Sequence, residues 1–261
     1  MKKKHLKKVS LICLLCLLTT VIGCINIGYW PRAKYEKTDQ LDAHLTPGSI
    51  LVAETEVGSI TVTGLDVTEC NVTAKICVKA PTDEEAQTLA DQIKIALDQD
   101  GKTLTVKTEK PRVKRHRSIS ISFDITVPKQ TALELGSDVG EIQVTNITEK
   151  IKAETNVGKI TCEEISGDID IKADVGTVKI VYSKTAPAAC SATISTDVGS
   201  IDLTTPPNYS GAVHAETDVG SIKTDKPLTL TGKIGRNLNG TMGAGEGKLH
   251  LKTDVGSIKI R

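Results

Sequence analysis

One phrase dominates this chain. It closes the sequence as KTDVGSIKIR from Lys252, and near-copies precede it: ETDVGSIKT from Glu216, STDVGSIDL from Ser195 and ETNVGKITC from Glu154. The phrase occurs seven times, with glycines at Gly58, Gly140, Gly158, Gly176, Gly199, Gly220 and Gly256. The steps between them are 82, 18, 18, 23, 21 and 36 residues. A step of about 20 residues marks a stacked-repeat architecture.

Aligned on the glycine, the copies share one pattern. Ile151, Ala153, Thr155 and Val157 alternate with polar residues, and Ile160 and Cys162 resume in the opposite phase after Gly158. Ile169 to Val175 followed by Val178 and Ile180, and Leu249 to Val255 followed by Ile258 and Ile260, repeat it. Period-two alternation means strands with one buried face. The inward set changes parity across Val-Gly-x-Ile, so the chain bends there and the glycine forms a corner. Each copy is too small to bury its own apolar face and must stack on its neighbours. The expected fold is therefore all-β: a single-stranded β-solenoid of strand-Gly-strand rungs. Only six aromatic residues in 261 agree with a core of small aliphatics. A left-handed β-helix of hexapeptides is the geometric rival, and EEISGD breaks its period.

Two segments interrupt the repeats. TDEEAQTLADQIK opens with Thr82 and carries Glu85 three residues on, a capping box, with Ala86, Leu89, Ala90 and Ile93 at helical spacing. A helix is expected over 82–93. A hairpin turning at Asp100-Gly101 is expected over 94–109. TGKIGRNLNGTMGAGEGKL, between the last two copies, is too rich in glycine for a helix.

The first 23 residues have the form of an export signal, five lysines followed by a short apolar run. VIGC (Val21 to Cys24) resembles a bacterial lipobox, which makes Cys24 the expected lipidation site and first mature residue. Residues 24–45 then form a tether, and 46–261 the solenoid domain. Removing five of the 33 basic residues leaves 28 against 32 acidic ones, so no nucleic-acid partner is expected. Of the later cysteines, Cys70, Cys162 and Cys190 fall in the inward phase and are expected to be buried thiols; Cys77 completes the set.

The residue before each corner valine is Glu56, Asp138, Asn156, Asp174, Asp197, Asp218 or Asp254. These point outward and are expected to brace the corner through backbone N–H groups. Asp174, Asp197, Asp218 and Asp254 are the carboxylates a metal would use, but neither metal nor cofactor is expected. Thr55, Thr155, Thr196, Thr217 and Thr253 face inward beside the corner. His214 and His250 occupy equivalent outward positions. No nucleophile elbow, phosphate loop or zinc-protease motif occurs. RVKRHR (Arg112 to Arg117) is a local basic run on a solvated loop.

In order, PGSILVAETEVGSITVTG, the acidic helix, the hairpin, FDITVP, the serial repeats and GAGEGKLHLKTDVGSIKI resemble the "putative adhesin" family of bacterial β-solenoid domains, a domain of unknown function. The resemblance covers about residues 46–261 and implies an envelope location without catalytic residues. The leading expectation is a non-enzymatic, lipid-anchored envelope protein that presents its solenoid to a partner in or beyond the envelope. Two alternatives stand beside it. One is a carbohydrate-active solenoid enzyme, a polysaccharide lyase or an acyltransferase. The other is a self-assembling scaffold, joined through an edge left open by the C-terminal rung at Ile258 and Ile260.

Overall fold

The computed structural model describes residues 33–230 and 235–261. Cys24, the export signal and the first part of the tether, residues 24–32, lie outside the described residues. The rungs are long strands bent in the middle: β8 (Ala132–Thr145), β9 (Ile151–Ile165), β10 (Ile169–Tyr182), β11 (Ser191–Thr204), β12 (Gly211–Thr224) and β15 (Gly247–Ile260). In the first rung the corner separates two strands, β2 (Ile50–Val57) and β3 (Ile60–Leu65). Rungs pair in parallel with glycine on glycine, as in Gly140↔Gly158, Gly158↔Gly176 and Gly176↔Gly199. Residues before and after the corner bury side chains in one core cluster, so the sheet folds over itself along the glycine column. This is the all-β solenoid that the repeat predicts.

The remaining elements close the two ends. At the N-terminal end, β6 (Thr103–Glu109) adds to β2, and β5 (Lys94–Asp100) adds to β6. On the other arm, β7 (Ser118–Pro128) pairs with β3, β4 (Glu69–Ala80) with β7, and β1 (Ala33–His44) with β4. Helix α1 (Asp83–Asp91) starts where Thr82 caps the Glu85 amide at 3.3 Å, and it buries Ala86 and Ala90. At the far end, β14 (Asn237–Met242) and β13 (Thr229–Leu230) cover the first half of β12.

Four expectations change. Residues 33–44 are not tether but an edge strand, paired with β4 along its whole length. Its inner positions carry Lys37 and Asp39, bridged at 3.1 Å, and this hides the period of two. Charges pointing inward are a known protection for a sheet edge. Tyr35 packs against the core rather than lying in a tether.

The corner valines point outward, not inward. Val57, Val139, Val157, Val175, Val198, Val219 and Val255 are 44–58 % exposed. Inward positions run Ile151, Ala153, Thr155 and resume at Ile160, so the turn occupies the four residues between, and valine sits on its convex side. The valines still stack on one another in register, which β-branched side chains do well.

The braces also lie on the inside. Thr55 donates to the Ile121 carbonyl at 2.8 Å, and Ser137 to that of Gly58 at 3.2 Å. Thr253 and Thr217 donate to Gly199 and Gly256, each at 3.2 Å. Thr155 and Thr196 occupy the same station, their hydroxyls buried without a partner. The outward acidic residues make no such contact with the corner backbone among the described residues; Asp138 accepts instead from the Asn156 amide at 3.3 Å.

The last copy is not the last rung. β15 lies between β11 and β12, hydrogen-bonded to both. The chain therefore skips a slot after β11 and fills it at the end. The skip is tight: the Gly247 amide donates to the Ser210 carbonyl at 2.8 Å, and a Cβ at Gly211 would overlap the Tyr209 hydroxyl. Ile258 and Ile260 are therefore on an interior rung and not at an open edge; the stack ends on β12, which beyond Glu216 is paired on one side only among the described residues.

Candidate functional site

A groove of about 610 Å³ opens at the N-terminal end of the solenoid, where β6 leaves β2. Their pairing stops at Ala53↔Val106, although both strands continue. Lys110 and Pro111 follow Glu109, and a proline has no N–H with which to extend the ladder. Ile121 forms the floor. Glu54, Glu56, Glu109, Asp138 and Glu154 line the walls with Lys107 and Lys110. The lysines are engaged: Lys110 with Glu56 at 2.7 Å, and Lys107 with Asp98 on β5 at 2.5 Å. Asp98 and the Lys107 hydrogen bond to it hold the Lys107 ammonium above its ordinary range. Glu154 pairs with Lys172 at 3.3 Å. Glu54 and Glu109 have no cation within bridging distance among the described residues.

The histidines gather elsewhere. His214 and His250 stack with centroids 5.1 Å apart and 10° between planes. His214 Nδ1 bonds the Asn239 side chain, and its Nε2 lies 3.6 Å from Glu216. Lys252 pairs with Glu216 at 3.3 Å, and that contact holds the carboxyl below its usual range. This cluster is on β12 and β15; β15 lies five strand spacings from β2, or about 24 Å, and three from β9, whose Glu154 is the groove residue nearest to it along the stack, or about 14 Å. Groove and histidines therefore do not converge, and no histidine lines the groove.

Asp174, Asp197, Asp254 and Asp218 follow one another on adjacent rungs, in that spatial order. Among the described residues no three metal-binding side chains are grouped to hold an ion. The glycines named from sequence form one column at the corner. A Cβ on any of Gly140, Gly158, Gly176, Gly199, Gly256 or Gly220 would overlap the carbonyl oxygen of the glycine beneath it. The basic run is exposed apart from Arg117, whose guanidinium pairs with Glu85 of α1. No helix of the described residues is long and apolar enough to cross a membrane. The groove itself was not foreseen from sequence.

The four described cysteines are free thiols, and Cys70, Cys162 and Cys190 are buried. Burial pushes Cys70 and Cys162 up to about 12 and Cys190 up to about 11. The folded state thus holds protons that the unfolded chain releases above pH 9. Stability is complete below that pH and falls as pH rises toward 12. Cys162, the most deeply buried of them, contributes a loss of about 1.4 kcal/mol per pH unit in this window, and Cys190 contributes only up to about pH 11. Thermal melts from pH 8 to 11 should show the decline, and Cys162→Ala should flatten it; equal slopes for the two proteins would refute the assignment.

A family model described as Toastrack DUF4097 matches residues 50–261. Among solved structures, a "putative cell adhesion protein" from Clostridium sporogenes aligns with a TM-score of 0.53 at 14% identity, covering 86% of this chain and 99% of that one. A "putative adhesin" from Bacteroides fragilis aligns with a TM-score of 0.39 at 15% identity, covering 86% and 97%. No curated protein matches. The first likeness shows a shared fold.

Proposed function

The chain belongs to the Toastrack DUF4097 family, and from that premise we propose that it is a non-enzymatic envelope protein, anchored by a lipid on Cys24, whose solenoid binds a partner. The observation that carries this reading is the separation of the groove from the histidine cluster. An acid–base enzyme needs its titratable groups convergent in one cleft, whereas here no histidine lines the cleft and its carboxylates and lysines lie along strand edges, Glu56 paired with Lys110. The name given to the Clostridium sporogenes protein points the same way.

The anchor and the binding role are tested separately. Metabolic labelling with a fatty acid should mark the wild-type chain, and Cys24→Ala should lose the label and move from membrane to soluble fractions. An unchanged distribution would remove the anchor. For the role, capture from native envelope should recover a stoichiometric partner. Release of unsaturated or deacylated products from an envelope polysaccharide by the purified chain would favour the enzymatic alternative and overturn the reading.

A further inference from the structure

The walls of the groove are strand edges that stop pairing midway. β2 pairs with β6 only as far as Ala53↔Val106, yet β2 continues to Val57 and β6 to Glu109. On their far sides both remain fully laddered, β2 with β8 through Val57 and β6 with β5 through Glu109. The backbone groups of Glu54–Val57 and of Lys107–Glu109 that point into the groove therefore have no ladder partner among the described residues, and β7 touches this edge only near its end, where the Ile121 carbonyl accepts from Thr55. Buried or half-buried strand edges seek such partners. The Thr108 hydroxyl lines the same space, buried and without a hydrogen-bond partner.

The charge of the groove supplies the second constraint. Glu54 on β2 and Glu109 on β6 both line it, and neither has a cation within bridging distance among the described residues. Lys110 shows what the groove accommodates: its ammonium spans the mouth to Glu56 at 2.7 Å. No aromatic side chain lines the groove, so it offers no stacking platform for a sugar ring. The chain's own basic run leaves the mouth after Pro111 and is tied to α1 through Arg117 and Glu85.

We infer that the groove takes an extended peptide segment bearing lysine or arginine, from another protein. The segment adds as a short strand along Glu54–Val57, and its cationic side chains meet Glu54 and Glu109. This deepens the binding role proposed above and rests on it. Backbone hydrogen bonds fix the segment's direction and register, and the carboxylates select for positive charge.

The test is fluorescence anisotropy with the full chain and three labelled hexapeptides. One alternates lysine and valine. The second has glutamate in place of lysine. The third repeats the first with alternate amides N-methylated, which removes the donors a strand needs. The lysine peptide should bind at least about tenfold more tightly than either of the others, roughly the effect of one charge-assisted hydrogen bond. The double variant Glu54→Lys/Glu109→Lys should lose about tenfold for the lysine peptide. Both side chains are exposed enough for the fold to tolerate the change, and an unchanged melting temperature would establish that. Equal binding of the N-methylated peptide, equal binding by the double variant, or no binding of the lysine peptide would each overturn the assignment. So would a concentration-dependent dimer dissolved by Arg112→Glu/Arg115→Glu, because the groove would then hold the basic loop of a second copy. A protein that recovers its envelope partner but ignores all three peptides overturns this inference and leaves the binding role standing.

Discussion

Deleting residues 247–261 is expected to abolish cooperative folding, although it removes only the last strand in sequence. β15 is an interior rung, hydrogen-bonded to β11 on one side and β12 on the other. It buries Leu249, Leu251, Ile258 and Ile260. At about 1.5–3 kcal/mol for each fully buried aliphatic side chain, their loss costs on the order of 6–12 kcal/mol. That is comparable with the whole stability of an ordinary domain, about 5–15 kcal/mol. The deletion also leaves two facing edges and a slot between them, and β12, β13 and β14 lose their link to the solenoid. Circular dichroism with thermal melting should show no cooperative transition in the truncated chain. A synthetic peptide of residues 247–261 added in trans should restore part of it, because it supplies the strand with which both β11 and β12 pair. A truncated protein that melts cooperatively near the wild-type temperature would mean that β15 is peripheral, as a strictly sequential solenoid requires.

That contrast shows where sequence stops being informative. Alternation in each copy is local, so the rungs, the corner and the inward Ile, Ala and Thr positions are legible from spacing alone. The rank of a rung in the stack is not local. Copies with the same phrase are interchangeable by pattern, and nothing in KTDVGSIKIR distinguishes an end from an interior slot. The 36-residue step before Gly256 signals an excursion but not its return point. The best available hint is Gly211 with Gly247, two glycines opening the last two rungs where the crossing requires close approach.

The valine column departs from the alternating pattern for a related reason. Strict alternation carries the inward phase one residue too far, because valine is the residue expected in a core. At a corner, parity is undefined over several residues, and β-branched stacking on the convex side satisfies the same preference. The groove was hidden more deeply. It arises from segments about 50 residues apart that begin a ladder and abandon it, and only Pro111, ending the alternation of β6, marks the spot in sequence. β1 was missed because its charges occupy both faces.

Gly176→Ala is expected to cost about 4 kcal/mol, near the upper limit for a single methyl group. The reason is steric and not conformational. A Cβ at Gly176 would overlap the Gly158 carbonyl oxygen, which is backbone and itself fixed in a ladder. Ordinary overpacking costs about 1–3 kcal/mol because side chains move aside; here the rungs themselves must separate. Gly101→Ala provides the comparison. Gly101 has φ +58° in the β5–β6 turn, but nothing lies within 4 Å of its Cβ position. Its cost is the left-handed backbone alone, about 1 kcal/mol. Gly220→Ala should fall between the two. Its Cβ would overlap the Gly256 carbonyl oxygen, but beyond the corner β12 is paired on one side only among the described residues and can shift outward. Urea unfolding of the three variants should rank them Gly176, Gly220, Gly101 from most to least destabilised. Equal midpoints for Gly176→Ala and Gly101→Ala would show that the column tolerates a side chain, and would leave the recurrence of glycine in all seven copies without a steric cause.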